Sequence, residues 1–264
     1  MSIKNINVLW AFKLNSDEVA QGIVAPQDFV NKHSHSVLNN YEIKINDGIF
    51  VLNEVEFQNL KLSEFEKEII KPYYTSQELH KYYTNDKNRF WLIYTNSTFK
   101  NSDEINKYPN IKKHLDRFIS IITSDNKPYG LHRAREEKFF KNEKIMSLRK
   151  GKEPVFTFTD FDCYVSQSYF VIQTKRLNMK YLTIYLNSKI VKFWLKYKGK
   201  MQGDNYQIDK IPLLNIPIII AEKQNDIIQL FDKIKDNVDN INSLFYKICD
   251  FSEDEIKIIE NHLE

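Results

Sequence analysis

The clearest hydrophobic pattern lies near the end of the chain, where Ile227, Phe231, Ile234, Val238, Ile241, Phe245 and Ile248 follow a four-three-four-three spacing. Such spacing keeps one helix face apolar and predicts a coiled-coil-like seam over residues 224–248. Three heptads are marginal alone, so the seam must pack on another helix of this chain or of a partner. Ser252-Glu253-Asp254-Glu255 predicts the cap of a last short helix. Upstream, Pro109 opens a predicted helix with Ile111, Leu115, Phe118 and Ile122 at helical spacing. Ser63-Glu64-Phe65-Glu66 reads as a capping box whose helix Pro72 should stop, and a short helix is expected from Ser76 to Tyr82. A longer one is expected from about Met179 to Tyr197, with Gly199 as its C-cap.

Strand signals fill the remainder. Gly22-Ile23-Val24 is followed by Tyr41 to Ile45, an Asn46-Asp47-Gly48 turn and Ile49 to Leu52, which together predict a hairpin. Phe90 to Tyr94 reads as a buried strand. Between Lys144 and Thr174, the runs Ile145–Leu148, Val155–Phe158, Cys163–Val165 and Tyr169–Gln173 alternate with polar turns and predict a small, largely antiparallel sheet. The expected class is α+β, with small, mostly antiparallel sheets and packed helices over residues 1–221 and a helical, coiled-coil-like appendage over 222–264.

Charge changes this picture. The overall balance is only +3, yet residues 222–264 hold 11 acids and 5 bases, a net of −6, which leaves +9 on residues 1–221. A body of that sign attracts phosphates or another anionic surface. Two isolated cysteines, Cys163 and Cys249, supply neither a disulfide framework nor a structural zinc site. The first 30 residues lack the pattern of a secretory leader and no apolar run is long enough to span a membrane, so a cytoplasmic protein is expected. The terminal Leu263-Glu264 reads as a cloning remnant, which would make the chain a piece of a longer protein.

Several chemistries lack their motifs. A transferase using S-adenosylmethionine needs a glycine turn where bare backbone meets the cofactor, and an amino-methylating enzyme adds an Asn-Pro-Pro-Tyr type motif. The six glycines never fall two apart, and the seven prolines are never adjacent. Neither a phosphate-binding glycine loop nor a His-Glu-x-x-His stands in the chain. His33-Ser34-His35 could be half of a metal site, but a polar loop accounts for it better. Asp160 and Asp162 could hold a magnesium ion for phosphodiester cleavage, although a turn between strands explains them more simply. Cys163 has apolar neighbours and reads as an inert buried thiol. No catalytic or metal-ligating residue is therefore expected in this chain.

Basic chemistry is present. From Lys127 to Lys152 there are nine Lys or Arg and three acids, interleaved with Tyr129, His132, Phe139 and Phe140. Arg133 and Arg135 at its centre offer forked donors for a phosphate or a guanine edge. The alternative is a solvated helix face on which Arg133 pairs with Glu137 at i, i+4. Lys138, Lys144, Arg149, Lys150 and Lys152 extend the window. A second basic run ends in Gly199-Lys200-Met201-Gln202-Gly203-Asp204-Asn205-Tyr206, a polar, glycine-bearing loop suited to close approach to a nucleic-acid backbone.

The order of these segments resembles the TaqI-like C-terminal specificity domain found behind the catalytic domain of type II and fused restriction-modification adenine methyltransferases. The matching stretches are Gln21–Val24, Gly48–Val51, Ile70–Tyr74, Trp91–Tyr94 and Tyr108–Leu115. Further on they are His132–Phe140 with Lys144-Ile145, Tyr181–Ser188 and Gly199 through Pro217. The resemblance implies a target-recognition domain that reads double-stranded DNA. A separate adenine methyltransferase catalytic domain, in cis or in trans, would hold the S-adenosylmethionine and methylate N6 of a flipped base. It carries over Arg133, Arg135, Lys144, Lys200, Gln202 and Tyr206 as DNA contacts, to which the basic window and loop add Lys138, Arg149, Lys150, Lys152 and Asn205. Pro26-Gln27-Asp28 departs from the glycine-containing turn that such domains often carry there.

Two other functions compete. In one, the chain is an assembly subunit acting through the heptad helix, with an oligomer formed through residues 224–248. In the other, which ranks well below, it is a metal-dependent nuclease using Asp160 and Asp162.

Overall fold

The structure is a computed structural model that describes residues 11–122, 128–220, 224–231 and 238–263. The chain begins with β1 (Ala11–Phe12), β2 (Val19–Gln21), α1 (Lys32–Leu38) and β3 (Val51–Asn53). Then come α2 (Glu54–Asn59), α3 (Glu64–Lys67), β4 (Ile70–Tyr74), β5 (Phe90–Ile93) and α4 (Pro109–Asp116). The middle is β-rich: β6 (Lys144–Leu148), β7 (Lys150–Gly151), β8 (Phe156–Thr159), β9 (Tyr164–Val165) and β10 (Tyr169–Ile172). Two helices follow, α5 (Met179–Leu186) and α6 (Lys189–Lys198), then β11 (Lys200–Gln202), β12 (Asn205–Gln207), α7 (Lys210–Asn215) and β13 (Ile218–Ile219). The last elements are α8 (Gln224–Phe231), α9 (Val238–Ile248) and α10 (Glu253–Asn261).

A central sheet of order β2-β10-β6-β8, antiparallel throughout, separates two hydrophobic cores. Side chains alternate along a strand, so neighbours on β6 and β10 go to opposite cores. Met146 and Val171, paired across the strands, enter the first core, whereas the next pair, Ile145 and Ile172, enters the second. This division explains why Tyr169-Phe170-Val171-Ile172 is apolar without interruption: both faces of the strand are buried. The first core also receives Phe50, Leu92, Ile111, Leu115, Phe118 and Tyr164, and the second receives Phe156, Tyr181, Tyr185 and Leu186. All four apolar positions expected of the Pro109 helix are buried, but α4 ends at Asp116, so Phe118 and Ile122 are buried from the turns that follow it. The α+β class with small antiparallel sheets stands.

Several elements differ from expectation, each for a local reason. Residues 41–45 form turns rather than a strand, because the Asn40 and Asp47 side chains accept the Glu42 and Lys44 backbone N–H groups that a hairpin would need. Pro72 does not stop a helix but sits inside β4 opposite Trp91, and its bias of Lys71 toward extended backbone serves the strand. The Ser63 capping box forms, yet α3 lasts only four residues. Residues 76–82 make a single turn anchored on Thr75 O, after which Tyr82 takes a positive φ of 78° and pairs with Thr157. β9 leaves the expected middle sheet and runs parallel to β4 in a sheet of order β3-β5-β4-β9.

The helix expected over 179–197 is two helices. Asn187 interrupts it by donating to Phe156 O at 2.7 Å and accepting from Phe156 N at 3.1 Å, a clamp on the β8 backbone, and Ser188 caps α6. Gly199 ends α6 in extended rather than left-handed backbone (φ −87°). A Cβ there would lie 2.4 Å from Leu195 O, so close approach is what requires glycine.

The heptad segment is described as α8 and α9, and Ile234 lies outside the described residues. Ile227 and Phe245 are fully buried in the second core, and Phe231 and Ile248 pack against it. Phe245 meets Tyr185 and Tyr181 edge-on at 5.3 and 6.3 Å. Phe245 therefore packs on α5 of the same chain, and α8 lies against that helix while α9 lies against α6. The Ser252 capping box forms at the start of α10.

Candidate nucleic-acid interface

β11 and β12 form a two-residue hairpin that continues onto β7, in the order β11-β12-β7. Gly203 sits at the turn with a φ of +58°, and no atom lies near its would-be Cβ, so it is backbone conformation that calls for glycine. The register aligns Lys150, Gln207 and Lys200 in one cross-strand row and Gly151, Tyr206 and Met201 in the next. Directly opposed residues share a face. Tyr206 and Met201 turn inward to the second core, so Lys150, Lys200, Gln202, Asn205 and Gln207 share the other face. Two basic runs some fifty positions apart in sequence thus become one polar surface. Lys150, Lys200 and Gln202 are exposed, Asn205 is half-buried, and Lys152 lies exposed just beyond β7.

That surface forms one lip of a cleft of about 660 Å³. Lys150, Gln202 and Gln207 line it from the small sheet, Gln167 from the turn before β10, and Asp28 and Tyr73 from the side of the first core. Arg149 also lines the cleft but is engaged: it donates to Gln167 O at 3.2 Å and to Asp209 Oδ1 at 3.4 Å, and lies over the Phe170 ring. It is a strut that fixes the small sheet to the central one.

The other candidates separate by burial. Arg133 is exposed, while its backbone exchanges hydrogen bonds with Val24. Arg135 occupies left-handed backbone (φ 68°) and points inward, donating from Nε to Gly22 O at 3.3 Å and from its terminal nitrogen to Gln21 Oε1 at 3.0 Å. The segment is not helical there, so the Arg133–Glu137 pair does not form. Glu137 instead meets Lys71, Lys141 and the Tyr164 hydroxyl. Lys138 is exposed and paired with Glu136 at 2.7 Å. Lys127, the start of the basic window, lies outside the described residues.

Two candidates are corrected. Lys144 is fully buried at the head of β6, where Nζ donates to Asn142 O at 2.6 Å and to Phe161 O, and burial pushes its pKa down to about 8. It holds a turn together and cannot reach a DNA surface. Tyr206, 5% exposed, is a core residue because its position on β12 alternates with the outward Asn205 and Gln207.

The residues weighed for metal or nucleophilic chemistry are equally placed. Among the described residues, no three His, Cys, Asp or Glu side chains converge in a way that could hold a metal ion. His35 Nε2 bonds to Ile43 O at 2.9 Å, Ser34 belongs to the α1 cap, and Asp160 and Asp162 lie exposed in the turn after β8. Cys163 is sealed, and burial raises its thiol far above the reactive range. Among the described residues, no helix is long and apolar enough to cross a membrane.

Sequence reasoning missed Gln207, Gln167 and Asp28. Gln207 had a signal, since Lys200-Met201-Gln202 and Asn205-Tyr206-Gln207 alternate with period two across a glycine turn. Gln167 and Asp28 come to the cleft only through long-range pairing, and nothing local marks them.

The family model described as the TaqI-like C-terminal specificity domain matches residues 71–218. Two type II methyltransferases of Haemophilus influenzae, M.HincII and M.HindII, are each 32% identical over 123 residues, which is 43% of this chain and 24% and 23% of theirs. The match thus spans about a quarter of those relatives' length. Among solved structures, the type IIL restriction-modification enzyme MmeI in complex with DNA aligns at a TM-score of 0.57 and 12% identity, covering 93% of this chain and 31% of that one. The type IIG restriction endonuclease BpuSI aligns at 0.51 and 13% identity, covering 96% and 30%. At such identities the likeness is one of fold. The match over more than half of its length places the chain in a family: it belongs to the TaqI-like C-terminal specificity domains.

Proposed function

We propose that this chain recognises a specific double-stranded DNA sequence on behalf of an adenine-N6 methyltransferase of a restriction-modification system, with catalysis and S-adenosylmethionine held by a separate domain. The observation that carries the reading is the shared outward face of Lys150, Lys200, Gln202, Asn205 and Gln207 at the lip of a cleft. Lysines there neutralise phosphates, and amides beside them offer paired donors and acceptors to base edges. Arg133 and Lys152 widen the cationic surface. Family membership and the methyltransferase relatives support the system to which this reading assigns the chain. Such a role places the protein in the cytoplasm, with the DNA it reads.

The division into a recognition domain over 1–221 and a helical appendage over 222–264 belongs to the same proposal, the appendage bracing the second core. The alternative, assembly through the heptad helix, is weakened because Ile227 and Phe245 are already buried within the chain. Selection from a pool of randomised duplexes, followed by titration of the selected and a scrambled duplex at two salt concentrations, tests the reading. It expects a clear preference for the selected duplex and a steep fall of affinity with salt for both. Equal binding of the two would refute it.

A further inference from the structure

Asp28 is the one carboxylate among the residues lining the cleft beside the small sheet. Its place is fixed by its backbone: its carbonyl accepts from Ile49 N at 2.9 Å and Val51 N at 3.3 Å, and the next residue, Phe29, bridges to Gly48. The side chain is half-buried, keeping contact with solvent through the cleft. Among the described residues, no cation and no hydrogen-bond donor is placed on the carboxylate. The Tyr73 hydroxyl, which lines the same cleft, is pushed up by burial and further by the charge of Asp28. Burial alone pushes Asp28 up to about 6.

An acid desolvated without a partner weakens the fold above that pH, and groups kept at such a cost inside a cleft are candidates for ligand contact. An ionised carboxylate can only accept, so its natural partner carries N–H groups. In the major groove those are the N6 amino group of adenine and the N4 amino group of cytosine. Adenine sets the acceptor N7 beside its amino group, where it would repel the acid, whereas cytosine has no acceptor on that edge. The guanine paired with cytosine shows only O6 and N7 acceptors there, which suit the donors of Lys150 and Gln202 that line the same cleft, while the Gln207 amide is engaged with Asp209 at 3.2 Å.

We propose that Asp28 is a specificity-determining residue that accepts a hydrogen bond from cytosine N4 at one position of the recognised duplex. This rests on the DNA-recognition reading above. The test uses the full chain and its Asp28→Asn variant above pH 7, each taken through selection from randomised duplexes. The wild type is expected to select cytosine at one position where Asp28→Asn does not. Replacing that C·G pair by T·A should weaken wild-type binding roughly 5- to 150-fold and weaken the variant far less. Asparagine is isosteric and removes the uncompensated charge, so the variant should melt no earlier than the wild type. Loss of a negative charge should also raise its affinity for scrambled duplex. A variant with an unchanged selected sequence and an unchanged T·A penalty overturns the assignment of Asp28 alone. A wild type that selects no sequence overturns the assignment together with the recognition reading.

Discussion

Arg135 donates to Gln21 Oε1 at 3.0 Å, joining the segment before the 3-10 turn at Glu137–Phe140 to the end of β2 across more than a hundred residues. Its neighbour Arg133, two positions earlier, is exposed. Two arginines that look equivalent in sequence therefore do different work. Arg135→Ala should cost about 1 to 2 kcal/mol of stability, reduced from the usual value for charged hydrogen bonds by partial exposure. Arg133→Ala should leave the melting temperature unchanged and lower DNA affinity. Chemical denaturation and duplex titration of both variants check this, and the reverse pattern would refute the placement.

Lys144, Lys150 and Lys200 separate in the same manner. Changing either Lys150 or Lys200 to Ala should weaken binding to all duplexes alike and lower the salt slope by about one. Lys144→Met should leave both quantities as in the wild type, because its ammonium faces Asn142 O and Phe161 O inside the protein. Affinities at several salt concentrations decide it.

His114 makes stability fall in acid. Burial depresses its pKa to about 4, against 6.5 in an unfolded chain, and its Nε2 proton is committed to Ile49 O at 2.9 Å. The unfolded chain binds the extra proton first, so the neutral ring's contribution is complete above pH 6.5 and is lost as pH falls toward 4. Over that window the loss approaches about 1.4 kcal/mol per pH unit from this group. His114→Gln should unfold more easily at pH 7 and show a flatter decline between pH 6.5 and 4. Equal slopes in the two proteins would count against the assignment.

Phe245 tests where the heptad seam is used. It is fully buried against Tyr185 and Tyr181, so Phe245→Ala should cost about 3 to 5 kcal/mol. Because the contacts lie within one chain, the mass measured by light scattering should not change while the protein remains folded. A variant that dissociates from a larger assembly and keeps its melting temperature would return the seam to a partner.

Local features were legible without coordinates. Capping boxes at Ser63 and Ser252, the Pro109 helix with Ile111 and Leu115 buried, and the β runs from Ile145 to Gln173 all follow from interactions within a few residues. The basic body and the family resemblance were likewise present in residue order and charge alone. What tertiary structure decided is which side of each element meets water and which distant segments meet each other. Lys144 and Lys150 stand in the same basic window, yet one heads a strand buried between two cores and the other lies on the open face of a three-stranded sheet. Asn187 splits an apolar helix because the edge of β8 lies beside it, and Asp28 enters the cleft because its backbone is tied to Ile49 and Val51. Such outcomes depend on register and on pairing between residues far apart in the chain. Periodicity and capping act over a turn or two and carry no information about them.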